Sequence, residues 1–69
     1  MGLVSIRSEV HVSDEESATN IENIIKDAGL SYSRRVSERM HCIIYTTDLT
    51  APLVIQCMQN GAIAVIRNP

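Results

Sequence analysis

Tryptophan and phenylalanine are absent from this chain, and Tyr32 and Tyr45 are its only aromatic residues. An RNA-recognition motif stacks bases on aromatic side chains of its two central strands. Here the first strand region has none, and the segment Arg39-Met40-His41-Cys42-Ile43-Ile44-Tyr45 offers Tyr45 alone. Together with a net charge of −2, this argues against direct nucleic-acid binding, which rests on phosphate neutralisation.

Glycine is scarce too. Gly2, Gly29 and Gly61 stand singly, so no glycine-rich loop is available to cradle a phosphate or to build an oxyanion hole. Cys42 and Cys57 are too few and too far apart for a secreted disulfide scaffold. With His11 and His41 they also lack the paired short spacings of a zinc site, and the neighbours His41 and Cys42 point to opposite faces of a strand. No metal or cofactor is expected. Cys57 with His41 is the only nucleophile and base pairing the residue types permit, and nothing in the sequence places them together. The expectation is a protein that is not an enzyme.

No run approaches the eighteen apolar residues of a membrane span, and no charged stretch followed by an apolar one and a small-residue cleavage site opens the chain. Ile6 stands where a myristoylation signal needs Ser or Thr. A reduced, cytoplasmic protein without membrane attachment is expected.

What is present suits one small domain covering residues 1–69. Hydrophobic residues at 45% with 20% charged place the chain among folded proteins rather than disordered ones. A chain of this length buries only roughly 60% of its unfolded surface, so it needs good packing or an oligomer to hold it.

From Leu3 to Val12 the residues alternate, with Val4, Ile6, Val10 and Val12 on one face and Ser5, Arg7, Glu9 and His11 on the other. This predicts a half-buried strand. Ser13 and Glu16 have the spacing of a capping box, with a helix starting at Asp14. Ala18, Ile21, Ile25 and Ala28 recur at helical spacing until Gly29 ends the helix. A hairpin follows: the polar arm Ser31 to Val36 suits an edge, and the apolar arm Met40 to Thr46 suits the centre of a sheet. Thr50 then caps a second helix with Pro52 in its first turn, with Leu53, Val54, Cys57 and Met58 as its buried stripe and Gly61 as its stop. Ala62 to Arg67 makes a last strand.

The order β-α-β-β-α-β predicts an α+β fold with ferredoxin-like topology, a four-stranded antiparallel sheet with two helices on one face. The other face is expected to show Arg7, Glu9 and His11 beside His41, Ile43 and Tyr45, with Ile63 or Val65 alongside. Either a second copy, docking sheet to sheet or edge to edge, or another partner would cover it.

Charge divides along the chain. Asp14, Glu15, Glu16, Glu22 and Asp27 gather on the first helix, with Glu9 just before it and Lys26 as the only base. Arg34, Arg35 and Arg39 gather on the hairpin. The plain reading is a solvated helix, whose first-turn acids complement its dipole and whose Glu22 pairs with Lys26, and an edge strand guarded by charge. The functional reading is an acidic helix face and a basic hairpin edge that contact a partner protein. A basic nucleic-acid-binding protein is one such partner.

The leading expectation is therefore a non-catalytic interaction module, an inhibitor or regulator that occupies a partner's surface. In size it matches small inhibitors of phages and mobile elements such as anti-CRISPR proteins, a comparison that no residue carries. The alternative is a small-molecule sensor resembling ACT-type regulatory domains, which share the element order and dimerise. Their ligand loop after the first strand usually contains glycine, where this chain has Val12-Ser13-Asp14.

Overall fold

In β1 (Arg7–Val12) every second side chain turns inward, so Ser8, Val10 and Val12 are buried while Arg7, Glu9 and His11 face the other way. The computed structural model describes residues 7–36, 42–47 and 49–68. The other elements are α1 (Glu15–Asp27), β2 (Tyr32–Val36), β3 (Cys42–Thr47), α2 (Ala51–Gln59) and β4 (Ala62–Asn68). Leu3 to Ile6, Ser37, Glu38, Arg39, Met40 and His41 lie outside the described residues.

All strand pairs are antiparallel, in the order β2-β3-β1-β4. This is the expected ferredoxin-like arrangement, with β1 and β3 central and β2 and β4 at the edges. Both helices contribute to a single core, in which Val10, Val12, Ile21, Ile25, Ile44, Leu49 and Cys57 are fully buried. Each large aliphatic side chain removed from water there stabilises the fold by about 1.5–3 kcal/mol. Leu49, which precedes the Thr50 cap and had no place in the sequence pattern, is one of the largest of them.

The first helix starts one residue later than expected. Asp14 is the N-cap, in extended conformation, and its carboxylate accepts a hydrogen bond from the Ser17 amide at 3.0 Å. Asp and Ser are equally good caps, so the local spacing alone does not separate Asp14 from Ser13. The helix ends with a left-handed Gly29 (φ 77°), the Gly29 amide donating to the Lys26 carbonyl and the Leu30 amide to the Ile25 carbonyl. That double closure is a Schellman motif. It turns Leu30 back onto the core and leaves Ala28 exposed, against the expectation that Ala28 is buried.

In α2 the inward residues are Cys57, which is buried, and Leu53 and Val54, which are half-buried. Met58 is 48% exposed and departs from the expected stripe. With Ala51 and Ile55 it occupies the outer side of the helix, at the i, i+4, i+7 spacing of a second face. Gly61 (φ 104°) takes the chain from α2 into β4, and a β-carbon there would collide with the Ser17 side chain of α1.

Candidate functional site

Adjacent residues on a strand point to opposite faces, and this splits the arginines of β2. Arg34 lies opposite Ile44, on the helix side of the sheet, and Arg35 lies opposite Ile43, on the open side. The two therefore do not form one basic edge. Arg39, the third of the set, lies outside the described residues.

Arg34 reaches α1. Its Nη1 donates to Glu15 Oε1 at 3.0 Å, its Nη2 donates to Glu15 Oε2, and Nη1 also meets Glu22 Oε2 at 3.4 Å. A planar guanidinium gripping one carboxylate with two nitrogens is the strongest geometry for such a pair. The hydrogen bond from Arg34 holds the Glu15 carboxyl below the ordinary glutamate value, against the opposing effect of desolvation. The same bond pushes the Arg34 guanidinium further up. Glu22, expected to pair with Lys26, is turned toward Arg34.

The remaining acidic residues of α1 divide as well. Asp14 is occupied as the helix cap, and its bond to the Ser17 amide lowers its carboxyl below the ordinary aspartate value. Glu16 and Asp27 are exposed and meet no cation at ion-pair distance among the described residues. Of the five acids expected to form a docking face, three are thus engaged within the fold.

On the open face, Arg35 lies over the Tyr45 ring at 5.8 Å from its centre. His11 Nε2 lies 3.4 Å from Glu9 Oε1, and Ile43 and Tyr45 are half-buried. A β-bulge between His11 and Val12 shifts the pairing with β4, so that Glu9 meets Ile66 and His11 meets Ala64. Ile66 and Ala64 therefore complete the open face, in place of the expected Ile63 or Val65. Val65 pairs with Val10 and packs on the core. A shallow groove of about 390 Å³ runs past the β2–β3 side, lined by Arg7, Ser31, Tyr32, Ser33, Tyr45, Thr46 and Thr47. It takes nothing from the Val12-Ser13-Asp14 junction.

Both cysteines are buried free thiols, and burial pushes the Cys57 thiol up, away from the reactive thiolate. Among the described residues no group of three His, Cys, Asp or Glu could hold a metal ion, and no helix is long and apolar enough to cross a membrane.

The feature that pattern reading passed over is a stretch without charge. From Leu49 to Ile66 there is no Asp, Glu, Lys, Arg or His. That stretch is α2 and most of β4, which pack against each other, and it supplies four of the six large hydrophobic residues that are exposed among the described residues: Ile55 (57%), Met58 (48%), Ile63 (53%) and Ile66 (43%). The signal stood in the sequence, where periodicity drew attention to the inward residues and to the open face of the sheet rather than to the outer side of α2. A scan against protein-family models and a search of curated proteins find no match for the chain.

Proposed function

We propose that the protein is a non-catalytic interaction module that acts as an inhibitor or regulator by covering an apolar site on a partner protein. The observation that carries this reading is the concentration of exposed Ile55, Met58, Ile63 and Ile66 in the one charge-free part of the molecule. A small domain gains nothing for its own stability from leaving such residues in water. Ile66 lies on the open face of the sheet, whereas Ile55 and Met58 share the outer side of α2, and that helix stripe is the exposed apolar surface that marks an interaction site. Ala51, Ile55 and Met58 form a continuous stripe along α2, suited to an apolar groove or helix on the partner, with the exposed Glu16 and Asp27 of α1 left for contacts at the rim. The acids held by Arg34 support the fold in this reading, so the partner is selected by apolar fit rather than by charge.

The test is capture of binding partners from lysate by a tagged chain. Ile55→Glu with Met58→Glu should abolish capture, whereas Glu16→Lys with Asp27→Lys should weaken it only slightly. Capture that survives the α2 substitutions and fails with the α1 pair would overturn the reading and return the role to the acidic helix.

A further inference from the structure

The two edges of the sheet are unequal. β2 has five residues and sets two arginines side by side, whereas β4 has seven residues, Ala-Ile-Ala-Val-Ile-Arg-Asn, with its only charge at Arg67. Natural sheets guard an open edge with charge, proline, shortness or a bulge, and β2 shows the first and the third of these. β4 has a bulge at its start and Arg67 near its end, and between them it presents the uncharged run Ala64–Ile66.

We propose that β4 is the pairing edge for a second copy of this chain, which joins two sheets into one of eight strands. This rests on the reading above that the charge-free side is the working surface, and it names one occupant of that side. A free edge is a row of backbone donors and acceptors whose complement is another extended strand. Three observations make that strand β4 of a second copy.

The first is charge. Two chains each carrying −2 repel, but the stretch 49–66 opposes no like charges when it meets itself, whereas β2 against β2 about an axis at Arg34 or at Arg35 would set that arginine opposite its own copy. The second is register. In an antiparallel pair directly opposed residues share a face, so a two-fold axis passing at Val65 sets Val65 beside Val65 on the helix side. It also sets Ala64 beside Ile66 on the open side, small against large, and leaves Arg67 beside Ile63. The outer row of β4 thus meets itself without a clash of charge or of bulk. The third is size. The chain has free cysteines and no disulfide to staple it, and an added copy extends the core beyond Val65 and shields Ile63 and Ile66. A standard interface takes roughly 800 Å² from each partner, about one-sixth of the 4810 Å² surface, an area that requires α2 to meet its counterpart as well as β4.

Sedimentation velocity over a concentration series decides the proposal, read together with residue-resolved hydrogen exchange. The expected result is a dimer whose β4 amides become more protected as concentration rises while the β2 amides do not. Ile63→Lys with Ile66→Lys should weaken self-association by about tenfold or more, as edge charges do, with the circular dichroism spectrum unchanged. A chain that sediments as a monomer at its highest soluble concentration overturns the proposal, as does a dimer whose β4 amides show no gain in protection. Should the lysine pair unfold the chain, the wild-type exchange pattern alone still decides. A monomer that loses its lysate partners on Ile55→Glu with Met58→Glu would refute the dimer and leave the proposed function standing.

Discussion

The α1–β2 side and the α2–β4 side of this small sheet are built on opposite plans. On the first, charge is abundant and turned inward upon itself, with Arg34 crossing from the sheet to grip Glu15 and Glu22 on the helix. On the second there is no charge from Leu49 to Ile66, and large aliphatic residues stand in water. On the proposed reading, the difference teaches that abundance of charge is a poor guide to where a small protein meets its partners. Paired charges complete a fold, whereas exposed hydrophobic residues leave something to be covered.

The comparison can be broken first at the core that both sides share. Ile21→Ala empties a fully buried site between α1 and the sheet and should cost about 2–5 kcal/mol. For a domain so thinly stabilised, chemical denaturation should show most of its stability gone, with both sides unfolding together. Independent transitions for the two sides would show that they do not share one core. Next in size is Gly61→Ala, which strikes where the two sides touch. The left-handed φ of Gly61 and the Ser17 side chain waiting at the β-carbon position predict a loss of about 1–3 kcal/mol. Gly29→Ala, with the same sign of φ but open space around it, should cost less, and equal losses would show that the contact with Ser17 is unimportant.

These two glycines show how far the sequence could be read. Gly29 follows a helix of clear periodicity and was legible as its stop. The contact between Gly61 and Ser17 joins residues far apart in the chain, and no local pattern contains it. The same limit applies to the charges. Strand alternation is enough to send Arg34 and Arg35 to opposite faces, but only the register of β2 on β3, and the packing of α1 over that strand, reveal that Arg34 meets Glu15. The β4 parity failed for a similar reason, because a bulge against β1 is invisible in the residues of β4 alone. Element order, strand order, Val10 and Val12 on β1 and Ala18, Ile21 and Ile25 on α1 were legible, since they follow from periods of 2 and 3.6, whereas Ala28 was lost to the Schellman turn.

A smaller effect sharpens the contrast on the charged side. Arg34→Met should lower the melting temperature less than Ile21→Ala does, because the ion pair is partly solvated. It should also change the acid response. Glu15 has a folded-state pKa below its unfolded one, so its contribution is fully present above the ordinary glutamate value and is lost as pH falls through the lowered value. The melting temperature of the wild type should therefore fall more steeply over that acidic window than that of Arg34→Met. Parallel curves would show that Arg34 contributes nothing to the acid dependence. The smallest effect expected is on the neutral side, where Ile55→Glu should change stability by no more than about 0.5 kcal/mol while removing partner capture.

The most direct measurement is residue-resolved hydrogen exchange at low and high salt, each at two protein concentrations. If the charged side is an internal fastening and the neutral side a contact surface, salt should speed exchange in α1 and β2. The concentration-dependent protection of β4 should persist unchanged at high salt. The account is contradicted if salt abolishes the protection of β4 and leaves α1 and β2 untouched.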